Sequence, residues 1–250
     1  MPHRCHTLSV LLAISLILLL ISCSPGLFVS QATGICPPPS EPHHRTFGSP
    51  RADHLVIFVH GFCGDAATTW ANAEAHFDFP QELAKDLEDS YVVAFNYVSQ
   101  LERAPSILSV ADHLQFEIGE WLKAHPYRTI QFVAHSMGGI IAREYILRRQ
   151  LQVHPHAQVT HVVLLGTPTN ASELAELRFL VPANRQVEEM RHLDKGNSYL
   201  ESLNKDWNRA FKAEGLQSRH LLLFAGYEEL PMTAVGKVVK LSSAISYADE

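Results

Sequence analysis

Several things are missing from this chain, and each absence narrows what it does. No Lys/Arg-rich run occurs, and 20 basic residues against 26 acidic ones leave a formal charge of −6. Such a chain carries no electrostatic footprint for nucleic acid. The apolar run from Leu8 to Ile21 is 14 residues long, short of the roughly 20 that a bilayer-spanning helix needs. Cysteine is confined to positions 5, 23, 36 and 63, at spacings that match no metal-binding pattern. There is no internal repeat and no polar linker, so one large α/β domain is expected after the leader.

The leader itself is informative. His3, Arg4 and His6 precede the apolar run, and Pro25 and Gly26 follow it, the layout of an export signal that is removed. Leu20-Ile21-Ser22-Cys23 resembles a bacterial lipobox. Residues 1–22 would then be a signal peptide, and Cys23 would be lipidated and attach the protein to a membrane of the cell envelope. A competing cut lies after Ala32, where Ser30 and Ala32 supply the small residues of an ordinary cleavage site, giving a secreted or periplasmic product. Residues 23–53 contain Pro37-Pro38-Pro39, Pro42 and Pro50 and read as an extended tether. In an exported protein Cys36 and Cys63 are either a disulfide or two free thiols.

From residue 54 to 250, short apolar runs alternate with segments of helical period, the pattern of a mostly parallel sheet covered by helices on both faces. Strands are expected at His54–His60, Tyr91–Tyr97, Thr129–Ala134, Thr160–Gly166 and His220–Ala225. Ile107, Val110, Ala111, Leu114, Ile118, Trp121 and Leu122 recur at a helical period, with Ser106 placed to cap them. Pro80 with Leu83 and Leu87 marks a shorter helix, and a further helix runs from Gly138 to Arg149. About residues 170–211, the pattern is broken by Pro182, Asn184, Gly196 and Asn197, and a small cap between two strands is expected there.

The stretch Ala134-His135-Ser136-Met137-Gly138-Gly139 sets a serine between small residues where a strand turns into a helix. This is the layout of a nucleophile elbow, with alanine in place of the usual first glycine. A serine hydroxyl needs a base and anion-stabilising donors before it attacks a carbonyl. Met137 N–H, at the helix start, is one expected donor. The other is Phe62 N–H, in the loop His60-Gly61-Phe62-Cys63-Gly64-Asp65 that ends a buried strand. Trp70, Phe77, Phe79, Phe179 and Leu180 could line an acyl pocket or be ordinary core.

With His60-Gly61-Phe62 and Ala134 to Gly139 in place, the sequence resembles the α/β-hydrolase superfamily over about residues 54–250. It is most similar to branches that include GPI inositol-deacylase-like and serine-active-site-containing lipase-like groups; Gly166-Thr167-Pro168 is also similar to theirs. The resemblance implies a carboxylic ester or lipid as substrate, no cofactor, and the order serine, acid, histidine. Glu228, before Glu229-Leu230-Pro231, resembles the orienting acid, with Glu229 as substitute. No histidine follows Glu228. The chain is therefore expected to be truncated, with its base beyond Glu250.

The histidines in hand fit the part of base poorly. His220, His161, His154 and His156 lie at or before strand starts, whereas ligands of open α/β sheets gather at the carboxyl ends. His60 and His135 are expected to hold loop geometry, which leaves His76 and His192 as the ones able to approach the serine. Two other readings stay open: an acyltransferase using the same serine, and an inactive lipid- or protein-binding lipoprotein.

Overall fold

The computed structural model describes Cys36 and residues 43–99, 104–150, 158–168, 185–186, 189, 199–212 and 221–226. The leader with Cys23, and the loop with Glu228 and Glu229, lie outside the described residues, as do His154, His156, His192, His220, Phe179 and Leu180.

Among the described residues six strands form the main sheet: β1 (Arg45–Gly48), β2 (His54–Val59), β5 (Ser90–Phe95), β6 (Thr129–His135), β7 (Gln158–Leu165) and β8 (Leu222–Gly226), with a separate two-stranded hairpin of β3 (Ala71–Asn72) and β4 (Phe77–Asp78). Their order is β1-β5-β2-β6-β7-β8. All neighbours run parallel except β1, which pairs antiparallel with β5 at the edge, Arg45 opposite Ala94. Among the described residues four α-helices accompany them: α1 (Phe79–Asp86), α2 (Ile107–Ala124), α3 (Met137–Gln150) and α4 (Tyr199–Lys212).

Side-chain alternation explains the layers. In β2, Leu55, Ile57 and Val59 enter one core with residues of α2, α3 and α4, while Val56 and Phe58 enter a second core with Phe79 and Leu83 of α1. Both faces are thus covered, as the unbroken apolar strands require. Ser106 caps α2 by accepting the Ser109 N–H at 3.0 Å, and Asp78 caps α1 by accepting from Gln81 N–H at 3.3 Å.

The five expected strands are present, with ends shifted by up to two residues. Two expectations need correction. The sheet begins inside the segment read as tether, at Arg45, because Phe47 packs on the second core while its neighbours on β1 face outward. The last part of the expected cap, Tyr199–Lys212, is a helix packed on the sheet's helical layer. Its Leu200, Leu203, Trp207 and Ala210 fall on one helical stripe and join the first core.

Strand order reverses at β2: the chain leaves it for β5 on one side and returns to β6 on the other. Ligands of open α/β sheets bind outside the carboxyl ends at such a switch point. Here those ends carry Gly61 and Ser136.

Candidate active site

Ser136 sits between the last residue of β6 and the first of α3 and has φ 51°. A left-handed backbone is costly for a residue with a side chain, so the neighbours must hold it. Ser136 N–H donates to the Leu165 carbonyl at 2.8 Å, and Gly139 N–H donates to the Ser136 carbonyl at 3.0 Å. The turn is tight because nothing bulky intrudes. A Cβ on Gly138 would lie 2.2 Å from the Val59 carbonyl oxygen and 2.4 Å from that of His60. A Cβ on Gly61 would lie 2.8 Å from the Ser136 Cβ. Backbone can pass this close only where both positions lack side chains.

Of the two expected donors, Met137 directly follows the serine and Phe62 directly follows Gly61. Met137 is buried as the first residue of α3, where early N–H groups have no intrahelical partner. Phe62 is half-buried against the first core. Among the described residues, neither N–H is engaged by a hydrogen-bond acceptor.

The loop bearing Phe62 is held from several sides. His60 is buried and stacked on Tyr97, ring centroids 4.0 Å apart. Tyr97 N–H donates to His60 Nε2 at 3.3 Å, which puts the ring proton on Nδ1, where it donates to the Gly61 carbonyl at 2.9 Å. Tyr97 O–H closes the loop by donating to the His60 carbonyl at 2.6 Å. Desolvation pushes the His60 imidazole down to about 4, so it is a neutral brace. Cys63, next after Phe62, takes φ 61° and forms a disulfide with Cys36, Cα atoms 5.1 Å apart. Of the two states open for these cysteines, the bridge is the one observed.

Sequence reading overlooked Asp65, Asn96 and Tyr97. Asp65 is buried and accepts from Ala67 N–H and Thr68 N–H, both at 2.7 Å, and from the Thr68 hydroxyl at 2.9 Å. That Asx-type turn was discoverable from an aspartate three residues before a threonine in a loop. Asn96 accepts the Ala66 N–H at 3.1 Å on its side-chain oxygen, a contact across 30 residues that no local pattern announces.

His135 is also desolvated, its imidazole lowered to about 4, and meets the edge of Trp70 with centroids 6.4 Å apart. Trp70 and Phe79 belong to the second core and Phe77 packs on it, so these three aromatics are core. His76 is exposed at the tip of the β3–β4 hairpin with φ 50°. His161 lies in β7, in register with Leu222 at the start of β8.

Comparison with known proteins adds to this geometry. Residues 49–170 match the family model described as "Putative serine esterase (DUF676)". The chain is similar to Protein SERAC1 of Bos taurus, 23% identical over 230 residues, covering 80% of this chain and 33% of that protein. Its Homo sapiens counterpart is 22% identical with the same coverage. The chain spans about a third of the length of these curated relatives. Among solved structures, lipase BlEst2 of Bacillus licheniformis is similar at 17% identity and TM-score 0.41, over 66% of this chain and 65% of that one. Over residues 49–170 the chain is thus similar to a serine esterase family, and the mostly parallel sheet carries a serine elbow at its switch point.

Proposed function

We propose that this serine hydrolase cleaves a carboxylic ester. Ser136 Oγ adds to the ester carbonyl carbon, its proton passing to a histidine base oriented by Glu228. The resulting oxyanion is held by the N–H groups of Phe62 and Met137, the alcohol leaves protonated by that histidine, and water repeats the sequence on the acyl-enzyme. The observation that carries this reading is Ser136 at φ 51° on the carboxyl end of β6, with the Gly61 turn against its Cβ. A fluorophosphonate should label Ser136 covalently, and Ser136→Ala should abolish labelling. Labelling that persists in the variant would place the nucleophile elsewhere.

The same acyl-enzyme serves an acyltransferase if an alcohol replaces water; formation of an ester product with added alcohol distinguishes the two. The leader supports a further proposal, export with lipid on Cys23. Expressed in a bacterium, the protein should then partition with membranes, and Cys23→Ala should release it. A soluble mature chain starting at Thr33 would refute lipidation.

A further inference from the structure

His113 and Glu117 are four residues apart on α2 and therefore share a face. His44, immediately before β1, is brought to that face by the antiparallel pairing of β1 with β5. Its ring stacks on Phe95 at 5.0 Å and meets the edge of Trp121 at 5.9 Å. Asn96 N–H donates to His44 Nδ1 at 2.9 Å, which turns Nε2 toward α2. There His44 Nε2 lies 3.7 Å from Glu117 Oε2, and His113 Nε2 lies 3.3 Å from Glu117 Oε1. One ligand atom from each residue can be chosen so that all lie within 4.8 Å of one another.

We infer that His44, His113 and Glu117 bind one divalent transition metal ion of the zinc type. Tetrahedral zinc, with bonds of about 2.0–2.1 Å, separates its ligand atoms by roughly 3.4 Å, so small side-chain rotations would seat it. Two imidazoles and one carboxylate suit zinc and its neighbours, whereas magnesium and calcium prefer oxygen ligands. Three protein ligands leave a fourth position for water. The His113 side chain is 47% exposed and gives the ion a way in, while His44 is held by the Phe95 and Trp121 rings.

Without the ion, neutral His44 accepts from Asn96 on Nδ1 and keeps its proton on Nε2, facing Glu117. Binding replaces that proton with metal, and the ring proton moves to Nδ1, giving up the Asn96 hydrogen bond. This exchange leaves Nδ1–H facing the Asn96 N–H and weakens affinity by about tenfold or more. The bound ion would tie the segment before β1 to α2 across the edge of β5. Asn96, whose side chain supports Ala66 in the loop after Gly61, would link this anchor to the serine's surroundings.

The test uses the purified 250-residue protein, stripped with a chelator and titrated with Zn2+ alone in competition with a chromophoric chelator. One equivalent should bind with a dissociation constant on the order of 10 µM or tighter, zinc should raise Tm, and Mg2+ should do neither. His113→Ala and Glu117→Gln lie at the surface end of the cluster and should fold as the wild type by circular dichroism, yet bind zinc at least tenfold more weakly. Co2+ should give a visible absorption band that both variants lose. Zinc affinity unchanged in both variants, or no saturable binding, overturns the proposal and leaves Glu117 as an acidic neighbour of two histidines. Fluorophosphonate labelling of Ser136 is read separately, so this result stands apart from the esterase reading.

Discussion

A Cβ added to Gly61 would stand 2.8 Å from the Cβ of Ser136, so the turn after β2 and the elbow after β6 are in direct contact. Gly61→Ala must push one of them away. The rate of fluorophosphonate labelling should fall by roughly a hundredfold, the usual scale for an ångström of misplacement. The fold should lose only about 1–3 kcal/mol. Labelling at the wild-type rate would mean that this contact does not position the serine.

Two other glycines give opposite expectations. Gly138→Ala sets a Cβ 2.2 Å from the Val59 carbonyl oxygen, an obstacle made of backbone, and should cost about 3 kcal/mol or more. Gly119, inside α2, has nothing within 4 Å of such a Cβ. Gly119→Ala should stabilise by about 0.5–1 kcal/mol through helix propensity. Urea unfolding midpoints of the two variants test both.

His60 and His135 make stability depend on pH. Their imidazoles are lowered from 6.5 to about 4 in the folded protein by desolvation. The unfolded chain takes up these protons below about pH 6.5 and the folded one does not until about pH 4. Stability is therefore fully present above that range and is lost as pH falls through it. Between pH 7 and pH 5 the loss should be on the order of 2 kcal/mol per histidine. His60→Gln should remove about one proton from the slope of unfolding free energy against pH, and an unchanged slope would refute the assignment.

The Cys36–Cys63 bridge closes a loop of sequence separation 27, for which chain entropy gives about 3–4 kcal/mol. Cys63 adjoins Phe62, so reduction should also loosen the proposed oxyanion loop. Reduced protein, and the Cys36→Ser/Cys63→Ser variant, should show a lower Tm and a reduced kcat toward p-nitrophenyl esters with KM little changed. Loss of Tm without loss of kcat would make the bridge a purely structural tie.

No histidine follows Glu228 in this sequence. The base of the proposed mechanism is a histidine, and without one, short p-nitrophenyl esters should turn over at only about 10³–10⁴ above the uncatalysed rate, the level left to binding and oxyanion donors in a triad lacking its base. Imidazole added to the buffer should raise turnover by wild type and not by Ser136→Ala. Ordinary enzymatic turnover without imidazole would show that the base is already in the chain, and His76→Ala and His192→Ala would then identify it.

Much of this molecule was legible along the chain because its signals are local. The five parallel strands are runs rich in Val, Ile, Leu and Phe, most deeply buried in β2, β5 and β6, and the period of α2 is written from Ile107 to Trp121. The elbow announces itself because small residues must surround a serine that turns so sharply. The sequence alone therefore determined the fold class, the serine elbow and the loop that faces it. Contacts between distant segments were settled by tertiary packing. Arg45–Gly48 became a strand because the edge of β5 was open to it. Cys36 met Cys63 because the chain before β1 returns to the loop after β2. The helix Tyr199–Lys212, obscured by the glycine, asparagines and proline before it, was claimed by the core through Leu203 and Trp207. His44, His113 and Glu117 converge across 73 residues of sequence, because pairing and packing bring together groups whose spacing along the chain carries no trace of their distance in space.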